Sequence, residues 1–176
     1  MKYYLKLNSI PNWQYIQSNA LEYLKNNTVI YERKKGLSFC EVSDFYNDNR
    51  KLINDCFRKI NLNVISTAFY VTYNNDQGSL HSDNSKFQAR INIPILNCEN
   101  SYTEYYTVSK TRFYTNDRYT IKLPEHDAII ELVDRVELTC PTIIRVNEFH
   151  KITIGNQTPR ISLTIGFDHD PIYLLT

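Results

Sequence analysis

The sequence predicts a mainly β domain, a sandwich, barrel or jelly roll, with α-helices at its N-terminal end packed on one sheet. Three observations lead there. The hydrophobic period changes from helical to alternating near residue 62, about eight short runs of β-branched and aromatic residues follow, and turn-forming clusters separate several of them. The 176 residues suffice for one substantial core and are too few for two, and no repeat or linker interrupts them. A single domain over 1–176 is expected, helical over 1–61 and β over 62–167.

Taken in order, Pro11 suits a first helical turn, and Trp13, Ile16, Ala20 and Leu24 follow at helical spacing up to the stop at Asn26-Asn27. Leu52, Ile53, Cys56, Phe57 and Ile60 repeat the pattern behind Asn49. Each helix thus has an apolar stripe to bury. Strands are expected over 63–73, 87–96, 102–108, 112–122, 128–133, 142–146, 151–154 and 160–167. Turn chemistry at Asn74–Gly78 and at Gly155-Asn156 separates neighbouring runs.

Composition narrows the function. The net charge is +1 with no long run of either sign, so neither nucleic acid nor an acidic membrane is an expected partner. Cys40, Cys56, Cys98 and Cys140 stand at least sixteen residues apart, without paired metal or redox spacing, and read as reduced packing residues. The first twenty residues lack the apolar core of a secretion signal, and no stretch approaches the ~20 apolar residues of a span, so a cytoplasmic location is expected. The glycosylation-like triplets at Asn26 and Asn156 then read as chance.

Chemistry concentrates in His81-Ser82-Asp83. Residues two apart in an extended segment project to one side, so an imidazole nitrogen and a carboxylate oxygen can meet one ion. His150, opening the 151–154 strand after a short turn, is the candidate third ligand. Arg160 follows ten residues later, and Ser162 two beyond it shares its face.

This constellation resembles the Fe(II)- and 2-oxoglutarate-dependent oxygenases, whose pattern is H-x-D, a distant histidine, and an R-x-S arginine about ten residues further; the match spans roughly 64–167. The resemblance implies a double-stranded β-helix, the jelly roll of cupin-like proteins, with Fe(II) held by His81, Asp83 and His150. It implies 2-oxoglutarate held by Arg160 and Ser162, with O2 as the third reactant and succinate and CO2 as products. Such a triad leaves three metal positions open, two for the keto-carboxylate end. The distal carboxylate suits the fork of a permanent cation better than a lysine.

The run Phe87–Ile95 alternates apolar odd with polar even positions, so Arg90 and Asn92 share a face that points at something polar. Arg90, nine residues after His81, resembles the arginine of the aspartyl/asparaginyl and prolyl hydroxylase branch that contacts the oxo-acid or the substrate carboxylate. The bland alternative pairs Arg90 with a local acid across a solvated face. Tyr70 and Tyr73 lie on opposite faces of one strand, so at most one faces the cleft, where Tyr70 would join the oxo-acid site. Asn147 suits either a turn or the support of a ligand, and Tyr102–Tyr106 a packed strand. His126 reads as a surface histidine, and Asp168-His169-Asp170 as a solvated loop that offers itself as part of a substrate mouth.

The expected function is a dioxygenase hydroxylating a free or peptidyl amino acid, with a small molecule or peptide as its partner. A second reading is a cupin-like metal protein without oxygenase activity, an isomerase or binding module; there Arg160 would need a protein carboxylate. In a third, a structural jelly roll, His81 and His150 would lie on different faces.

Overall fold

The structure, a computed structural model, describes residues 1–27, 38–73, 79–116, 120–155 and 157–176, with backbone alone over 38–41. The expected turn at 74–78 and position 156 lie outside the described residues. Two helices, α1 (Trp13–Asn26) and α2 (Ser43–Arg58), precede most of the strands. Each buries the predicted stripe, Ile16, Ala20 and Leu24 in α1 and Ile53, Cys56 and Phe57 in α2.

Two helix starts differ from expectation. Asn12, left-handed at φ 61°, occupies the N-cap of α1, so Pro11 lies ahead of the first turn. Helix α2 begins at Ser43, six residues before Asn49, because Phe45, 1% exposed, and Tyr46 add core contacts that outweigh the weak helix propensity of the Asn- and Asp-rich stretch after them.

Twelve strands are described: β1 (Tyr4–Lys6), β2 (Ser38–Glu41), β3 (Val64–Thr72), β4 (Ser82–Asp83), β5 (Ala89–Leu96), β6 (Tyr102–Val108), β7 (Thr111–Thr115), β8 (Thr120–Pro124), β9 (Ile130–Glu137), β10 (Thr142–Arg145), β11 (His150–Thr153) and β12 (Arg160–Phe167). The expected strand over 112–122 is two, β7 and β8, paired antiparallel as a hairpin. Neither β1 nor β2 was expected, since each is a short edge strand whose partners are distant in sequence. The chain closes on a short 3-10 helix, Pro171–Leu175.

The large sheet runs β1-β10-β5-β12-β3-β2 with every neighbour antiparallel. Both helices pack on it, α1 against β5 and α2 against β3. The interface is the main core, where Tyr23 meets Phe45 edge to face and stacks on Phe69, and Phe57 meets Phe167. Two three-stranded sheets, β11-β6-β9 and β4-β8-β7, complete the fold. An antiparallel bridge, His81 to His150, joins their edges, and the Ser109–Ile129 and Lys110–Glu125 backbone bonds join them where β6 runs into β7 and β8 into β9. The molecule is therefore mainly β, built of antiparallel sheets. Among the described residues no helix is long and apolar enough to cross a membrane.

Candidate metal centre and its cavity

Backbone pairing brings the two histidines together: the His81 N–H donates to the His150 carbonyl at 3.1 Å, and the His150 N–H to the His81 carbonyl at 2.8 Å. Their rings lie 4.7 Å apart. Two residues on, the Asp83 N–H donates to the Val146 carbonyl at 2.7 Å, while the Ser82 hydroxyl, on the opposite face, donates to the Asn147 carbonyl at 2.8 Å. Asp83 is thereby turned to the histidine side, with Oδ1 3.3 Å from His81 Nε2. One ligand atom from each of His81, Asp83 and His150 lies within 4.8 Å of the others.

The ring nitrogens are sorted by backbone carbonyls. His81 Nδ1 donates to the Ser79 carbonyl at 2.6 Å, and His150 Nδ1 to the Glu148 carbonyl at 2.9 Å. A carbonyl only accepts, so each Nδ1 carries the hydrogen and each Nε2 is left to offer a lone pair. Both carbonyls stand two residues before the histidine they orient.

Without a cation, a lone pair and a carboxylate facing each other at 3.3 Å need a proton between them. Burial opposes charging of His81, but the Asp83 hydrogen bond and the Ser79 carbonyl outweigh it and move its pKa up. Asp83 moves down, burial being overcome by His81, His150 and Arg90. His150 moves down, through burial first and the neighbouring His81 second. One positive charge is favoured between the three groups, and a divalent ion satisfies all three acceptors at once.

The cluster opens on a cavity of about 310 Å3 between the sheets, at the small end for a small-molecule site. Tyr70, Arg90, Asn92, Ser162 and Thr164 stand on its wall. Asn92 is buried and accepts a hydrogen bond from Thr164 at 2.8 Å. Arg90 lies over the Phe87 ring at 5.3 Å, and among the described residues no carboxylate is within ion-pair distance of it. The solvated-face alternative for Arg90 is thus not what is found.

Arg160 is the next residue on the Ser162 face of β12, behind the cavity wall and opposite Thr72 of β3. It is 0% exposed, and Nε, Nη1 and Nη2 make no hydrogen bond, nor do the hydroxyls of Ser162 and Thr72. Burial lowers its pKa. The adjacent Cys98 thiol gives no counter-charge, because burial pushes its own pKa up. A fork of unsatisfied donors with two unpartnered hydroxyls nearby is chemistry that suits a carboxylate.

Of the predicted site residues, His81, Asp83, His150, Tyr70, Arg90, Asn92 and Ser162 line one cavity, while Arg160, two residues before Ser162 on β12, does not reach its wall. Tyr73, on the other face from Tyr70, packs against the main core. His126 lies on an exposed turn, its side chain 98% exposed. The 168–170 tail is structural and absent from the cavity wall: Asp168 accepts from Asn63, and Asp170 caps the last 3-10 helix and accepts from the Gln88 and Ala89 amides. Asn147 braces the turn before His150 against β4 and Gln88. The Ser79 and Glu148 carbonyls, Thr72, and the Tyr3–Tyr105 stack were not anticipated; for the carbonyls no side-chain signal exists. Comparison with protein families, curated proteins and solved structures found no match for this chain.

Proposed function

We propose that the protein is an Fe(II)- and 2-oxoglutarate-dependent dioxygenase that hydroxylates a free or peptidyl amino acid, with release of succinate and CO2. The observation that carries the reading is the fully buried, unpartnered Arg160 guanidinium on the same face of the fold as a His-Asp-His cluster. Topology supports a double-stranded β-helix: β3, β5, β10 and β12 lie in the large sheet, and β4, β6, β9 and β11 in the small ones. Along the chain these eight strands alternate between layers, except where β6 and β9 pair as neighbours.

His81, Asp83 and His150 would hold the metal in three adjacent positions, leaving the cavity side open. Fe(II) and 2-oxoglutarate, when bound, would activate O2, one oxygen atom going to succinate as CO2 leaves and the other to an unactivated C–H bond of the substrate. Arg160 and Ser162 bind and orient the distal carboxylate, which places the keto-carboxylate end toward the histidines. Tyr70 and Asn92 shape the wall beside it, and Arg90 offers a second cation to the oxo-acid or to a carboxylate of the substrate. A metal protein without oxygenase chemistry fits less well, because it leaves Arg160 buried without an anion.

The test is anaerobic titration with Fe(II) and then 2-oxoglutarate, followed by visible absorbance, and then succinate release with a panel of amino acids and peptides. Wild type is expected to develop a visible band only when both are present. Asp83→Ala should lose it together with metal binding, whereas Arg160→Ala should keep the metal and require far more oxo-acid. Normal turnover in both variants would overturn the assignment.

A further inference from the structure

The N-terminal segment reaches the metal cluster by a route the proposed chemistry does not use. Strand β1 pairs with β10, the strand that leads into the His150 turn. Ahead of it, the Tyr3 carbonyl accepts from the Arg145 N–H at 2.9 Å, and the Lys2 carbonyl from Arg145 Nε at 2.7 Å. These bonds hold the Tyr3 ring stacked on Tyr105, centroids 4.8 Å apart and planes 28° from parallel.

Tyr105 is 0% exposed and lies directly opposite His150 in the β6–β11 pair, its ring 6.4 Å from the imidazole. Tyr3, Tyr4 and Tyr105 pack with Val136, Ile144 and Val146 in a small core separate from the one under the helices. The Tyr105 hydroxyl has no hydrogen-bond partner of good geometry, so what the residue contributes there is its ring. His150 has its Nδ1 end tied to the Glu148 carbonyl, with the ring centroids of His81 and Tyr105 4.7 and 6.4 Å from its own. One hydrogen bond still lets a ring rock about its axis, and a packed neighbour removes that freedom.

We propose that Tyr3 is a positioning residue for the metal centre: stacked on Tyr105, it fixes the plane in which His150 presents Nε2. The proposal rests on His150 being a metal ligand. Groups that orient a ligand change metal affinity by about 10- to 100-fold when removed, and a ring acting through one intermediate belongs at the lower end.

Cobalt(II) added to the apoprotein under nitrogen reads this directly, through its dissociation constant and visible ligand-field spectrum, with the apoprotein melting temperature recorded alongside. Tyr3→Ala is expected to weaken Co(II) binding by roughly tenfold and to alter the spectrum, and Tyr3→Phe, which keeps the ring, to restore both. If Tyr3→Ala does not fold, Tyr3→Leu, which keeps apolar bulk without a planar face, is expected to show the same loss. A lowered melting temperature with wild-type affinity and spectrum would overturn the proposal and leave the metal centre standing. Absence of Co(II) binding by the wild type, or wild-type binding that persists in His150→Ala, would instead remove the metal centre and the positioning role with it.

Discussion

Arg160 makes the clearest separation of stability from function. A buried cation without a partner costs several kcal/mol of desolvation that nothing in the apoprotein offsets. Arg160→Met keeps much of the volume and removes the charge, so the apoprotein is expected to unfold at an equal or higher urea concentration. The same variant should bind 2-oxoglutarate at least 100-fold more weakly, by calorimetric titration of the metal-loaded protein. Loss of stability without loss of oxo-acid affinity would show that the guanidinium serves the fold. Tyr105 gives the corresponding test in pH. Burial raises its pKa above the 10.0 of an exposed tyrosine, so the unfolded chain ionises first. Its contribution to stability is fully present below pH 10 and falls by about 1.4 kcal/mol per pH unit above it. Urea unfolding between pH 8 and 11 should fall less steeply in Tyr105→Phe than in wild type. That His81, Asp83 and His150 meet was readable because residue type and spacing carry that geometry. Thr72 and Tyr3 were not, since each acts through a partner that only the fold brings near, and the two orienting carbonyls were not, since a backbone group leaves no residue-type signal.

Strands whose two faces differ sharply were legible to the residue. Strand β12 keeps the predicted bounds Arg160–Phe167, with polar side chains toward the cavity alternating with Ile161, Leu163 and Ile165 in the core, and β6 likewise keeps Tyr102–Val108. Edge elements were not, because β1 and β2 are short, and β7 is exposed along its whole length and so lacks a buried face to set a pattern. The end of β12 also carries a steric constraint. Gly166 lies opposite Ser66 just before a register shift, and a Cβ there would come within 2.3 Å of the Ser66 hydroxyl. Gly166→Ala is expected to cost about 1–3 kcal/mol by overpacking. Ser66→Ala removes the clashing oxygen, so the double variant should recover most of that loss in a denaturant-based double-mutant cycle. Additive losses would place the strain elsewhere.

At the scale of the molecule, the large sheet and its helices form a well-packed half, and the two small sheets meet at the His81–His150 bridge and, away from it, where β6 runs into β7 and β8 into β9, at the Ser109–Ile129 and Lys110–Glu125 backbone bonds. The groups that would bind metal sit at that junction: His81 and His150 are the bridging pair, and Asp83 begins the ladder to β8. A bound ion would therefore clamp the edge at which β4 meets β11, and the oxo-acid would tie that edge back to β12 through Arg160 and Ser162. Manganese(II), which lacks the oxygen reactivity of iron, isolates this linkage. At 100 times its dissociation constant a ligand that binds only the folded state adds about 2.7 kcal/mol. Mn(II) should raise the melting temperature, 2-oxoglutarate should raise it again only when Mn(II) is present, and a chelator should return both to the starting value. Arg160→Met should keep the first increment and lose the second. Hydrogen exchange locates the effect: the amides of His81, Asp83 and His150, which hydrogen-bond across the junction, should slow on Mn(II) binding, while those of α1 stay unchanged. Slowing spread evenly over the molecule would show that the ion stabilises the fold as a whole without acting at the His81–His150 edge.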